Sequence, residues 1–265
     1  WDTSLTFSKT NSFWKERLPN YDYQIYQQRE NEPMSAYYYY NVTGIINTDR
    51  SNMPESQKTL QAEAQLPGCP IIEDKNKDGK IDENDVYMKD NSPAIYVGIG
   101  NTFTYKRFEF SFFMYGQFGI QKYNIAYSAA QAGPLAVDYP ENSNKFAYRL
   151  WNSQTNPNGS RPGLAIGKMG ALPGNAWVNA DRENASFMRM RNITLAYNLA
   201  GNILGSLQRY VRNIKVYVDA QNPFILTKFQ GFDPEIYTGG GGASGGSRGE
   251  YPQTRTFSLG ANITF

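Results

Sequence analysis

The residues with the clearest chemical potential form one short run, DKNKDGKIDEND, from Asp74 to Asp85. Counted from Asp74, oxygen-bearing side chains fall at positions 1, 3, 5, 9 and 12 (Asp74, Asn76, Asp78, Asp82 and Asp85), with Gly79 at position 6 and Ile81 at position 8. Lys80, at position 7, offers its backbone carbonyl. This spacing lets one loop wrap a hard cation in six or seven oxygens, and glycine at position 6 permits the sharp bend, so the run predicts a Ca²⁺ site on those residues. The flanks are not those of an EF-hand: LPGCPIIE before it and VYMKDNSPAIYV after it carry Pro and β-branched residues where helices are required. Asp85 is also shorter than the Glu that usually closes such a loop, which lowers the expected affinity. The competing reading is an acidic turn, because Asp, Asn and Gly are themselves favoured turn formers.

An ion held there would be structural, since the chain offers little else for bond chemistry. His is absent, which removes the usual general base near neutral pH and the commonest transition-metal ligand. Cys69 is the sole cysteine; it forms no intrachain disulfide and has no imidazole to activate it. The reading is therefore not an enzyme. The 26 basic and 24 acidic residues are spread along the chain and leave a formal charge of +2, with no basic stripe of the kind a phosphate backbone needs, so nucleic acid is not an expected partner. Two further sets have the chemistry of contacts. The run Tyr37 to Tyr40 suits either stacking on a planar ligand or an aromatic girdle at a membrane interface. Arg189 and Arg191 suit anion binding inside a lumen or pairing with acidic neighbours.

The elements that must position these residues are strands. In IYVGIGNTFTYKRFEFSFFMYGQFG, Ile95, Val97, Ile99, Phe103 and Tyr105 alternate with Gly98, Gly100, Thr102 and Thr104. After Lys106-Arg107 the pattern resumes with Phe108, Phe110, Phe112 and Met114, which predicts a hairpin with one oily and one polar face. Ile214, Val216, Val218 and Ala220 repeat the theme, as do Phe257, Leu259, Ala261, Ile263 and Phe265 at the end. Between residues 187 and 200 the apolar positions switch from even (Met188, Met190) to odd (Ile193, Leu195, Tyr197), which predicts a β-bulge near Arg191-Asn192. AYYYYNVTGII and the opening DTSLTF carry weaker strand signals. Residues 116–185 read as a long polar connection with one short helix around Asn144 to Trp151, and residues 238–250 as a flexible glycine-rich loop.

No run of 18 apolar residues exists, so a transmembrane helix is not expected. Spanning β-strands need only about 9–11 alternating residues and leave the average polar. The mean hydropathy of −0.60 combined with 15% aromatic residues, 20 of them Tyr, fits such a wall. Short turns at one end of the strands and long polar connections at the other fit it too. No basic-then-apolar leader is legible in WDTSLTFSKT, so the reading expects either a cytoplasmic chain or a sequence that begins inside a longer one.

YYYYNVTGIINT, the acidic loop followed by IGNTFTYKRFEFSFFMYGQFG, RLWNSQTNPNGSRP, NASFMRMRNITLAYNL, NIKVYVDAQNPFILTKFQGFDPE and the terminal YPQTRTFSLGANITF together resemble the SusC/RagA-type TonB-dependent outer-membrane transporters of Bacteroidota. The resemblance covers residues 35–265. It implies an all-β fold: the C-terminal strands of an antiparallel transmembrane β-barrel of about 22 strands that encloses a plug. Residues 1–265 would be the C-terminal part of that barrel, about eight or nine strands, with the plug domain and early strands outside this chain. It further implies residence in the cell outer membrane and import of an oligosaccharide or peptide. The implied partners are a SusD-like surface lipoprotein, the rest of the barrel and plug, outer-membrane lipid, and TonB through the N-terminal part outside the chain. A different class of reading is a secreted, calcium-stabilised β-sandwich that binds carbohydrate through its Tyr-rich loops; it predicts a core between two sheets.

Overall fold

Alternation of apolar and polar residues forces extended backbone wherever one face must leave water, and the computed structural model places strands on the alternating runs. It describes residues 1–19, 21–27, 30–91, 95–124, 148–163, 166, 169–180, 182–200, 203–231, 233–235 and 252–265. In chain order the strands are β1 (Asp2–Ser8), β2 (Ala36–Tyr40), β3 (Val42–Ile45), β4 (Pro70–Ile72), β5 (Tyr87–Asp90), β6 (Ile95–Tyr105), β7 (Phe108–Phe118), β8 (Gln121–Tyr123), β9 (Trp177–Val178), β10 (Arg182–Asn184), β11 (Phe187–Ala200), β12 (Asn213–Gln221), β13 (Ile225–Thr227) and β14 (Thr256–Thr264). The chain divides into two compact units. One, called the wall below, comprises Trp1–Thr10, Pro93–Gln121 and Asn184–Phe265; the other, the loop unit, comprises Asn11–Ser92 and Lys122–Glu183.

The wall is a seven-stranded antiparallel sheet in the order β1-β6-β7-β11-β12-β14, with β13 alongside the start of β11. Its register assembles the alternating residues into two continuous faces. On the oily face Phe103 pairs with Phe110, Phe110 with Leu195, Leu195 with Val218 and Val218 with Leu259, one row across five strands. The opposite face carries Glu109, Ser111, Thr194, Asp219 and Ser258 in neighbouring rows. The expected bulge is present: the β7–β11 register shifts between Met190 and Asn192, and this brings Met188, Met190, Ile193 and Leu195 onto one face. The expected hairpin is also present, with Lys106 in the left-handed region (φ 54°) where its tight turn reverses the chain. On the oily face Asn101 and its register partner Thr3 are polar, and Asn101 Oδ1 accepts from Thr3 Oγ1 (2.7 Å) and Trp1 Nε1 (3.1 Å).

Among the described residues the wall has seven strands, where eight or nine were expected from length, and just over half of the chain belongs to the loop unit. That unit builds a three-stranded sheet, β5-β2-β9, in which β2 and β9 run parallel, and a β3–β4 pair. Its core gathers Tyr40, Ile46, Cys69, Ile71, Ile72, Ile81 and Val86 with Met169, Leu172 and Ala176, short segments far apart in sequence. The buried Gln57 amide ties them: Nε2 donates to the carbonyls of Ala64 (3.0 Å) and Pro70 (3.2 Å), and Oε1 accepts from Ile72 N (3.0 Å). Among the described residues the members of this hydrophobic core cluster all belong to the loop unit, while Leu5, Phe257 and Leu259 on the oily face of the wall are exposed. The β-sandwich reading, which needs that sheet to bury one face against a second, is therefore corrected.

The helix expected at Asn144 to Trp151 lies partly outside the described residues; within them Tyr148 and Arg149 form a short 3-10 turn and Leu150 a parallel bridge to Arg161. The glycine-rich loop expected at 238–250 lies outside the described residues.

Candidate functional site

The polar face of the wall is built from short side chains and a few long ones that reach across strands. Lys215 on β12 reaches past β11 to pair with Glu109 on β7 at 2.8 Å. Ala196, which stands beside Glu109 in the intervening strand, is 1% exposed. Thr194 Oγ1 donates to Asp219 Oδ1 at 2.6 Å. Aromatic rings on this face lie over glycines on the neighbouring strand. A Cβ on Gly260 would come 2.5 Å from the Tyr217 ring, and one on Gly100 would meet both Ser4 and the Phe113 ring. At Gly260 the absence of a side chain is what lets the Tyr217 ring lie against the sheet, and at Gly100 it leaves room for the Ser4 hydroxyl.

At the β13 end of β11 the two arginines singled out by the sequence meet two acids it did not flag. The Arg189 guanidinium, 4% exposed, donates to Asp233 Oδ1 at 2.7 Å and contacts Glu235 Oε2. Arg191 reaches Glu235 Oε1 and the Tyr115 hydroxyl, both at 3.0 Å, and Asn222 Oδ1 at 3.1 Å. Asp233 also binds backbone at two later points in the chain: Oδ1 accepts from Glu235 N (2.9 Å) and Oδ2 from Gln253 N (3.2 Å). One buried carboxylate thus holds residues 233–235 and residue 253 against the polar face of β11. Burial pushes the Glu235 carboxyl up, against the pull of the two guanidinium groups. Of the two readings of these arginines, the structure selects pairing with acids. Their partners lie 44 residues away, a separation that no local pattern reports.

The acidic loop is only partly assembled as predicted. Asp74 accepts from Asp78 N (3.2 Å) and Gly79 N (2.9 Å), and Asn76 Oδ1 accepts from Asp78 N at 3.1 Å. Asn76 Nδ2 donates to Asp78 Oδ2 at 3.0 Å, and Lys80 N donates to Asp78 Oδ1 at 2.9 Å. Gly79 adopts φ +85°, the bend that position 6 requires. Asp74, Asn76 and Asp78 therefore share one side of the turn with hard oxygen donors. Asp82 and Asp85 are engaged elsewhere: they cap the 3-10 turn Glu83–Asp85 reciprocally, Asp82 Oδ1 accepting from Asn84 N and Asp85 Oδ2 from Asp82 N, each at 2.8 Å. Asp85 is fully buried and its Oδ1 takes Lys75 N at 2.8 Å. Among the described residues no three acidic or thiol side chains gather into a metal cage. The signal for the cap was legible, an Asp followed three residues later by a second acid just before Val86.

The Tyr37 to Tyr40 run lies in β2 of the loop unit rather than in the wall, so it is not a girdle of the wall strands. Strand alternation splits it. Tyr40 is fully buried, its hydroxyl within 3.0 Å of the carbonyls of Asp82 and Pro173, and Tyr38 donates to Glu32. Tyr37 stacks on Tyr39 with centroids 5.2 Å apart, and the Arg182 guanidinium lies 3.7 Å from the Tyr37 centroid. Burial pushes the Tyr37 and Tyr38 hydroxyls up to about 12, with the Glu32 carboxylate adding to the effect at Tyr38. Burial likewise pushes the Cys69 thiol up to about 11, so it is held as an inert thiol.

No protein-family model matches the chain. It is 26% identical over 284 residues to the TonB-dependent receptor P3 of Formosa agariphila, a match that covers 100% of this chain and 27% of that protein. To the TonB-dependent receptor SusC of Bacteroides thetaiotaomicron it is 31% identical over 196 residues, covering 72% of this chain and 17% of that protein. The chain thus spans about a quarter or less of these curated relatives. Among solved structures it superimposes on the RagAB peptide transporter with a TM-score of 0.64 at 21% identity, over 99% of this chain and 26% of that one. The RagAB peptide importer in its closed-closed state gives a TM-score of 0.61 at 18% identity. A two-faced antiparallel wall, relatives of this kind across its whole length and the same fold in a solved transporter lead to one assignment: the chain belongs to the SusC/RagA-type TonB-dependent outer-membrane transporters.

Proposed function

We propose that this chain forms the C-terminal barrel wall, together with loops outside the membrane, of a TonB-dependent importer of an oligosaccharide or peptide that works beside a SusD-like surface lipoprotein. The observation that carries the proposal is the wall itself. One face is oily across its strands, the other is polar, and among the described residues the outermost strands β1 and β14 are each paired on a single side. Open edges and an unburied oily face suit a sheet completed by further barrel strands and surrounded by lipid. The chain's residues would shape the lumen and the loops, while energy would arrive from TonB through a plug outside this chain; no bond chemistry is assigned to them. The test is growth of a deletion strain on single glycans and peptides, with and without TonB, together with capture of the lipoprotein by the full-length protein from detergent extracts. Uptake that survives deletion of TonB, or a polypeptide found only in the soluble fraction, would overturn the proposal.

A Ca²⁺ ion in the acidic loop remains part of the proposal on a narrower donor set, Asp74, Asn76 and Asp78 with backbone oxygen. The support is the shared side of the turn and the bend at Gly79. Its role would be to order the turn. Metal analysis of the purified protein, comparing wild type with an Asp74→Ala/Asp78→Ala double variant, decides: equal calcium content in the two sinks the site.

A further inference from the structure

The loop unit holds a cavity of about 620 Å³ lined by Val42, Ile45, Trp151, Pro162, Arg161 and Arg182, among others. Several of the polar side chains around it already have partners. Asn52 links Asn47 N (3.0 Å) to the Ile45 carbonyl (2.8 Å), and Asn179 accepts from Val42 N at 3.1 Å while donating to Asn41 at 2.9 Å. Arg161 donates to the Ala180 carbonyl and pairs with Glu183 at 2.8 Å. Arg182 differs. Its guanidinium packs over the Tyr37 ring, and among the described residues no carboxylate pairs with it and no side chain or carbonyl accepts from it. Burial makes its charge less comfortable and lowers its pKa, with Tyr37 and Tyr123 acting the other way, yet a guanidinium stays protonated.

Another part of the lining is held in place before any ligand arrives. Trp151 N donates to the Arg161 carbonyl at 2.8 Å. Three glycines let its backbone and ring settle: an added Cβ would come within 2.7 Å of the Trp151 ring at Gly68, 2.5 Å of its Cα at Gly159 and 2.7 Å of its carbonyl at Gly163. A fixed aromatic side chain and a partly desolvated cation for which no described residue supplies a counter-charge, both lining one cavity, are the parts of a site for a ligand with an apolar face and an acid group. We propose that this cavity binds a carboxylate-bearing ligand, Arg182 pairing with the carboxylate and Trp151 receiving the apolar face. A uronic-acid sugar and an acidic peptide both supply that chemistry. The proposal rests on the import reading only for the purpose of the binding.

The test is calorimetric titration of the full-length protein in detergent with trigalacturonate, with triglutamate and with maltotriose. It needs neither TonB nor uptake, so its failure is distinct from failure of the import reading. The expected result is binding of one or both acids, weakened about tenfold or more in Arg182→Gln and less in Arg182→Lys. Binding of trigalacturonate alone names a sugar ligand, and of triglutamate alone a peptide. The methyl ester of the ligand that binds, titrated into wild-type protein, tests the charge without any variant and should bind about tenfold more weakly. Absence of binding by both acids, ester binding equal to that of the acid, or a folded Arg182→Gln protein that binds as wild type overturns the proposal.

Discussion

The wall and the loop unit solve the problem of leaving water in opposite ways. In the loop unit apolar side chains from many short segments converge inward, and Tyr40, Ile46, Cys69 and Ile72 are almost wholly buried. In the wall the large apolar residues turn outward: Leu259 is 83% exposed, Phe257 72% and Leu5 70%. The same residue types are therefore stabilised by packing in one region and call for a second apolar solvent in the other. Polar groups follow the same inversion. The loop unit places its acidic turn at the surface, whereas the wall buries its Arg189–Asp233 pair on the face away from its oily rows. Hydrophobic content alone does not separate the two; the direction in which it points does.

Four changes would break or sharpen that contrast. The largest effect is expected at the wall's ion cluster. Asp233→Ala leaves the Arg189 guanidinium buried with only Glu235 and releases Gln253 N, so it should cost about 3–5 kcal/mol, measured by urea unfolding of the full-length protein in vesicles. The Arg189→Met/Asp233→Leu double variant should recover a large part of the loss; a double variant as damaged as the sum of the singles would mean the two act independently. Next comes truncation of apolar residues. Ile72→Ala in the loop unit should cost about 2–5 kcal/mol of local opening by hydrogen exchange, whereas Leu259→Ala on the wall should cost under about 1 kcal/mol, and equal costs would erase the distinction.

Third, a charge separates the wall's two faces. Phe110→Arg should destabilise the membrane-inserted state by about 2–4 kcal/mol, while Ser111→Arg, one residue on and facing the other way, should change it by less than about 1 kcal/mol. Matching losses would show that the oily face is not the lipid face. The smallest effect is a pH dependence confined to the loop unit. Cys69, Tyr37 and Tyr38 hold their protons more tightly in the fold than their ordinary values of 9.0 and 10.0, at about 11, 12 and 12. A raised folded pKa contributes stability that is complete below the unfolded value and is lost as pH rises through the folded one. Exchange protection in the loop unit should therefore fall from about pH 9 to pH 12. Iodoacetamide should label Cys69 only over that range or after unfolding.

The parts of the fold legible in advance were those carried by local periodicity. The hairpin at Lys106-Arg107, the outer strands and the Met190–Asn192 bulge all follow from which side of an extended chain each residue occupies, and the bulge shows as a change of phase within β11. No period announces the loop unit's core, because Ile46, Cys69, Ile81 and Met169 come from segments too short to show one. At the acidic loop, Asp74, Asn76 and Asp78 share hydrogen bonds within one turn, as neighbours at that spacing do. Asp82 and Asp85 have a chemistry that suits a cation as well as it suits a capped turn, and in the structure both accept from the backbone N–H groups of that turn.

The sequence by itself determined that the chain makes amphipathic strands, that one face of those strands is oily, and that no thiol–imidazole chemistry is available, because each depends on residue type and on a two-residue period. Tertiary structure alone decided that Asp233 and Glu235 neutralise Arg189 and Arg191, and that the tyrosine run divides between a core and Arg182. It also decided that Trp151 and Arg182 line one cavity. Pairings across such separations form only after strands and turns have closed the chain upon itself. Their partners are chosen by proximity and by the cost of leaving a buried charge or hydrogen-bonding group unmatched.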